Sequence, residues 1–126
     1  MSAVAHFRNL QGQQYMNLIT IRKSGAKVST PVWFAVDGDR CYVVSQDNAG
    51  KVKRIRNNPQ VEFEPSDGRG QSRGPSSSGR AVILDQSAAA PADNALRAKY
   101  GWMYRAFGLF WRVRRITAVY LEIREA

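Results

Sequence analysis

The sequence predicts a mainly β protein, a small antiparallel barrel of six strands with three or four short helices. Three observations predict it. Short runs alternate apolar with polar residues, as in Ile19-Thr20-Ile21-Arg22 and in 119–124, the period-2 pattern of strands with one buried face. Ser24-Gly25 and Asp37-Gly38 separate the first three runs, and Asp-Gly between apolar runs signals a hairpin. Helical stretches enter late, and strands joined by tight turns with late helices argue for a small antiparallel barrel.

In chain order, residues 1–14 are interrupted by His6, Arg8, Asn9 and Gln11 and read as a short leading helix or a loose arm. Residues 17–22 form the first strand. The second, 28–36, is strongly apolar at its end but holds Pro31. Proline cannot donate to a ladder, so Pro31 marks an edge, a bulge, or a place where something other than a strand lies alongside. Residues 41–45 return as the third strand.

The stretch from Ser45 to Pro59 follows, on which the functional reading turns. Asp47 or Asn48 is placed to cap the first turn of a short helix, and Val52 and Ile55 give that helix an apolar stripe. Asn57-Asn58-Pro59 ends it, because proline disfavours helix before itself and cannot extend one. Four of the six residues 51–56 are cationic. A helix N-terminus presents unpaired N–H groups and a positive dipole end, so Lys51 in the first turn makes an anion site. The alternative is a solvated charged face.

Val61 and Phe63 then alternate with Glu62 and Glu64, and Pro65 ends this fourth strand. The Gly/Ser/Pro-rich segment 66–79 cannot bury a core and is expected to be a mobile loop, either plain or a lid. Residues 80–84 resume as strand. Pro91 starts a helix over 92–100 that Gly101 stops. A second, aromatic-rich helix over 102–112 carries Met103, Phe107, Phe110 and Trp111 on one face, and it is expected to pack on the barrel with its arginines outward. Thr117 to Arg124 is the sixth strand.

The 126 residues are expected to form a single domain, 1–126. Hydrophobic content of 44% and charged content of 23% are those of an ordinary globular protein. No apolar segment resembles a secretory signal or a membrane span, so a cytoplasmic location is expected. The lone Cys41 excludes a disulfide framework within one chain and reads as a packing residue. The net charge of +9 collects in two patches, 51–56 and the C-terminal third, which suit a polyanionic cofactor, an anionic lipid or nucleic acid. Nucleic acid is set aside, because the aromatic residues sit in patterns that need burial.

The chemistry available to side chains is thin. His6 is the only histidine, so a histidine-based triad or multi-histidine metal site is unavailable within one chain. No dinucleotide or P-loop signature occurs. Glu62 and Glu64 share a strand face where solvent exposure outweighs catalysis. An enzyme of this composition needs a cofactor to carry the reaction.

At this point the residues become recognisable. Thr20-Ile21-Arg22-Lys23-Ser24-Gly25, Thr30-Pro31-Val32-Trp33-Phe34-Ala35, Gly50-Lys51-Val52-Lys53-Arg54-Ile55-Arg56-Asn57-Asn58-Pro59 and Leu96-Arg97-Ala98-Lys99-Tyr100-Gly101 together resemble the pyridoxamine 5'-phosphate oxidase-like, FMN-binding split β-barrel superfamily. Within it the chain resembles the actinobacterial flavin/deazaflavin oxidoreductases, many of which use coenzyme F420. The resemblance implies a six-stranded antiparallel split β-barrel and a homodimer with cofactor sites at the subunit interface. It implies that Ser45, Gln46 and Lys51 meet the cofactor phosphate, with Lys53, Arg54 and Arg56 as further candidates. It places Thr30, Pro31, Val32 and Trp33 along the ring, which would account for Pro31.

The chain departs from the oxidases proper. Thr30 and Ala35 stand where they carry an Arg and a Lys, and Gly50 stands where an Arg precedes the phosphate lysine. These losses count against FMN and pyridoxamine phosphate chemistry.

The function expected is therefore hydride transfer from reduced F420 to a small organic substrate, with Tyr42 and Tyr120 as proton-donor candidates on residue type alone. One alternative keeps the fold and uses FMN. Another makes the chain a non-catalytic binder of coenzyme or of an anionic membrane, in weak association.

Overall fold

Each alternating run places its apolar members on one face, and the sheet closes around them. The computed structural model describes residues 7–125. Six strands, β1 (Tyr15–Ile21), β2 (Lys27–Asp37), β3 (Arg40–Gln46), β4 (Gln60–Ser66), β5 (Ser77–Leu84) and β6 (Ala118–Glu125), form a closed barrel in the order β1-β2-β3-β6-β5-β4. All six neighbouring pairs are antiparallel. Closure leaves no long free edge, the usual liability of a small sheet.

Met16, Leu18, Phe34, Val43, Phe63, Leu121 and Ile123 fill the interior. The alternation in β1 runs in the phase opposite to its sequence pattern. Met16, Leu18 and Thr20 are buried and Ile19 and Ile21 only half-buried, because the Thr20 hydroxyl accepts a 2.6 Å bond from Arg54 Nε and so enters the interior satisfied.

The described part of the leading segment is tied down. A 3-10 turn at Arg8–Leu10 buries Phe7 and Leu10 in the barrel core. His6 and the residues before it lie outside the described residues.

Two prolines sit within strands. β4 runs through Pro65, which the sequence reading made its end, pairing it with Met16 of β1. The β4–β5 register reaches only Phe63, so at Pro65 the missing N–H costs no ladder bond on that side. β5 begins at Ser77, so 77–79 belong to the sheet and the connecting loop is 67–76. Asp67 Oδ1 accepts from the N–H groups of Arg69 and Gln71, and Asn17 Nδ2 donates to the Gly70 carbonyl.

Three helices decorate the barrel: α1 (Gly50–Asn57), α2 (Ala90–Tyr100) and α3 (Trp102–Val113). Val52 and Ile55 of α1 are buried, as their spacing requires. Neither Asp47 nor Asn48 caps this helix. Its N-cap is Ala49, with no side-chain bond, because the Asp47 N–H donates to the Thr117 carbonyl and keeps the chain strand-like to that point. Pro91 lies in the first turn of α2, and Gly101, at φ 57°, turns the chain from α2 into α3.

α2 packs on the outer wall of β2 and β3. Leu96 and Tyr100 meet Ala35, Tyr104, Trp33 and Val44 in a second apolar cluster. Tyr100 also ties backbone together. Its hydroxyl accepts from the Phe34 N–H at 3.0 Å and lies 2.7 Å from the Gln14 carbonyl and 2.9 Å from that of Phe34. Burial holds its pKa well above the ordinary range. Tyr100→Phe leaves these buried groups unsatisfied and is expected to cost about 1–3 kcal/mol, read as a lowered urea midpoint at unchanged m. A midpoint equal to the wild type's would remove the hydroxyl from any structural role.

α3 departs from expectation. Met103, Tyr104 and Phe107 reach the second cluster or the β2 wall. Trp102 is nevertheless 77% exposed and Val113 73%, and Leu109 and Phe110 are also exposed. Packing on the barrel covers one side of this helix only. The strands, by contrast, expose just Val36 and Val82 among their described large hydrophobic residues.

Candidate functional site

β2 and β3 begin as a hairpin and then part. Their register runs from Asp37↔Arg40 to Phe34↔Val43 and stops. Continued, it would set Trp33 opposite Val44, Val32 opposite Ser45 and Pro31 opposite Gln46. Instead β2 keeps only β1 as partner over Lys27 to Trp33, and β3 keeps only β6 over Val44 to Gln46. Pro31 sits on the parted side, so of its three sequence readings the local edge applies.

The gap is the mouth of a cavity of about 850 Å³, lined by Pro31, Val32, Trp33, Ser45, Gln46 and Lys51 and closed on the other side by α2 and α3. One wall is aromatic and fixed. Trp33 stacks on Tyr100 with centroids 4.3 Å apart and meets the Phe107 ring edge-on at 4.7 Å. At one end stands Lys51, in the first turn of the uncapped α1.

This arrangement can be set beside known proteins. No family model and no curated protein matches the sequence. Solved structures do match the fold. HutZ, the heme storage protein of Vibrio cholerae, superposes at TM-score 0.71 with 11% identity, over 98% of this chain and 87% of that one. A FAD-binding protein from Mesorhizobium loti gives 0.64 at 17% identity, over 99% and 88%. An F420 reductase gives 0.60 at 18% identity, over 95% and 92%. The fold is the pyridoxamine 5'-phosphate oxidase-like split barrel.

Within this split barrel the remaining sequence-predicted residues fall elsewhere. Thr30 does not line the cavity, nor do Lys53, Arg54 and Arg56. Lys53 and Arg56 are exposed on α1, and Arg54 turns inward to bond Thr20. Helical phase turns Lys53 and Arg56 away from Lys51, whereas Arg54, three positions on and on the same face, is held instead by its bond to Thr20. The Arg54 guanidinium packs against Gly50, where a Cβ would come within 2.8 Å of Arg54 Nη1.

Lys51 is half-buried, and among the ion pairs of the described residues none includes it. Burial, and then the nearby Arg54, lower its pKa from the ordinary value. A partly desolvated cation without a carboxylate partner, beside free helix N–H groups, gains most from an incoming anion.

The far wall joins Asp93 and Tyr104, to which the sequence reading gave no role, to Arg97 and to Tyr120, one of its proton-donor candidates. Tyr104 donates to Asp93 Oδ1 at 2.6 Å, Arg97 Nη2 lies 3.2 Å from Asp93 Oδ2, and the Tyr120 hydroxyl bonds Tyr104 and lies 3.2 Å from Asp93 Oδ1. Burial works against charge on Asp93, but the Tyr104 hydroxyl and the Arg97 guanidinium outweigh it and hold the carboxyl below its usual range. The one available signal was the Asp93/Arg97 spacing of four on a helix.

Of the two proton-donor candidates, Tyr42 is buried and absent from the cavity lining, whereas Tyr120 lines it. Burial and the Asp93 charge raise the pKa of Tyr120. Its hydroxyl is held in place by Tyr104 and Asp93. Arg105 and Arg112 of α3 add positive charge to the lining.

Behind the wall, Lys99 donates to the Phe34 carbonyl at 2.8 Å with its ammonium 3.4 Å from the centre of the Phe34 ring. The residue is exposed as a whole, but burial of this end lowers its pKa to about 8. Below pH 8 both folded and unfolded chains hold the proton, and the burial penalty is fully present. As pH rises from about 8 toward the ordinary value of 10.5, the folded chain loses the proton first and its stability gains. The stability difference between Lys99→Met and wild type should therefore shift in favour of wild type across that window. A difference flat in pH would return Lys99 to the ordinary value. The same wall holds Cys41, whose thiol burial pushes up to about 12.

Proposed function

We propose that the protein is a deazaflavin-dependent oxidoreductase that binds coenzyme F420 in the cleft between the parted β2 and β3 strands and reduces a small organic substrate there. The observation that carries this reading is Lys51, half-buried and without an ion pair among the described residues, at the uncapped start of α1 and at one end of a cavity whose side is the fixed Trp33 wall. Those residues fit a ligand that is anionic at one end and flat and apolar beyond it. Reduced deazaflavin, when bound, supplies the hydride.

The protein's own part is positional. Lys51 and the α1 N–H groups would hold the phosphate, and Val32 and Trp33 would exclude water from the ring. The Asp93–Tyr104 pair fixes the Tyr120 hydroxyl as a polar contact for substrate. A proton for the reduced substrate would come from solvent or from a nearby acid. Arg97, Arg105 and Arg112 in the lining favour the polyglutamate tail of F420 over the shorter FMN. The F420 reductase and FAD-binding protein on the same fold support a flavin-type coenzyme.

Separate fluorescence titrations with F420 and with FMN test the reading. Saturable binding of F420, tighter than that of FMN, is expected. Binding of FMN alone would transfer the site to the FMN alternative, and binding of neither would overturn the coenzyme reading.

A further inference from the structure

Five of the seven exposed large hydrophobic side chains among the described residues, Trp102, Phe107, Leu109, Phe110 and Val113, belong to α3. At about 100° per residue, Phe107 falls with Met103, Tyr104 and Trp111 on the side toward the barrel. Trp102, Ala106, Leu109 and Val113 fall on another side in one stripe, and the half-exposed Phe110 lies at the boundary between the two, next to Met103. Leu109 also reaches the rim of the cleft, while Trp102, Phe110 and Val113 do not line it. α3 is thus apolar over a wider arc than the barrel covers.

Charge decides what fits the other side. From 101 to 119 the chain carries Arg105, Arg112, Arg114 and Arg115 and no acidic residue. On the helix projection Arg105 and Arg112 border the stripe on one side, and Arg114, at the C-terminal end of the helix, brings its guanidinium to 5.6 Å from the centre of the Phe110 ring. A second copy docked by the same face would set arginine against arginine with no carboxylate to relieve them. Nucleic acid would meet the arginines and leave the apolar stripe in water. An anionic bilayer satisfies both, because acyl chains take the stripe while headgroups take the flanking arginines.

We infer that α3 is an interfacial anchor that seats the protein on an anionic lipid surface, with Trp102, Phe110 and Val113 inserted and Arg114 and Arg115 at the headgroups. No helix among the described residues is long and apolar enough to cross a membrane, so the anchor lies in the plane of the surface. The same helix lines the cleft, which places the cavity mouth near the lipid and suits an apolar or amphipathic substrate that partitions there. The anchor itself does not depend on the coenzyme reading.

The test is co-sedimentation with phosphatidylcholine vesicles and with vesicles of phosphatidylglycerol and phosphatidylcholine mixed. The wild-type protein should bind the mixed vesicles and not the neutral ones, with a blue shift of tryptophan emission that Trp102→Phe diminishes. The combined variant Trp102→Ser, Phe110→Ser, Val113→Ser should bind them at least about tenfold more weakly while melting as wild type does, since these side chains are exposed. Arg114→Glu with Arg115→Glu should lose at least about tenfold at low salt. Undiminished binding by the serine variant would reduce the attraction to charge and overturn the proposal. A wild-type dimer that the serine substitutions dissociate, with no vesicle binding by either protein, would assign the face to a second copy and overturn it equally.

Discussion

Lys51→Ala should weaken F420 binding roughly ten- to a hundredfold. The ammonium makes a charge-assisted bond to the phosphate in a partly dry site, worth about 1.5–3 kcal/mol, and each 1.4 kcal/mol is about a factor of ten in dissociation constant. Without coenzyme the variant should melt no lower than wild type. Lys51 has no ion pair to lose among the described residues, and removing a half-buried cation relieves the desolvation that lowers its pKa. The control is Arg124→Ala, in β6. Arg124 is exposed, bonds Glu122 at 2.6 Å and does not line the cleft. Both titrations belong at one ionic strength, because long-range attraction is screened alike for both. Equal losses would mean that only overall charge draws the ligand, and the anion site at α1 would be wrong.

Leu96→Ala is expected to be the most damaging single change to the wall that carries Asp93 and Arg97. Leu96 is fully buried between α2 and the outer face of β2 and β3. Truncation removes its transfer energy and leaves a cavity, together about 2–5 kcal/mol. Chemical denaturation should show the whole loss in the midpoint, with m unchanged if folding stays two-state. Val82→Ala is the comparison, since Val82 is 48% exposed and surface changes of this kind stay within about 0.5 kcal/mol. Similar midpoints for the two variants would mean that α2 is not packed as described.

The strands were legible because their signal is local. Alternation and Asp37-Gly38 locate them before any tertiary contact is known. What alternation cannot state is phase. In β1 the half-buried Ile19 and Ile21 flank a buried Thr20, and only the distant Arg54 explains why a hydroxyl went inside. Pro31 was legible as an interruption, while its meaning lay in the register of β3, several residues along the chain. Lys51 was legible from the helix start beside it. Its cationic neighbours were overcounted: Lys53 and Arg56 lie on other faces of the helix, and Arg54, on the same face, is taken by Thr20. The cap was misread because Asp47 gives its N–H to Thr117, seventy residues away in sequence. The Asp93, Tyr104 and Tyr120 cluster joins α2, α3 and β6, and no window on the sequence contains all three.

The parting of β2 and β3 has a consequence for solubility. Two neighbouring strands that stop pairing leave backbone donors and acceptors that could re-pair, with each other or with another chain, as in edge-to-edge aggregation. Re-pairing within the chain would zip the cavity mouth shut. Pro31 stands on the parted stretch and has no N–H to offer a new partner, so a re-formed ladder on that side would lose a bond there. The nearby Lys51 adds a charge that a foreign strand would have to desolvate. The residues that give the cleft its shape therefore also act as gatekeepers: they keep the barrel from closing its own opening and from recruiting a neighbour to close it.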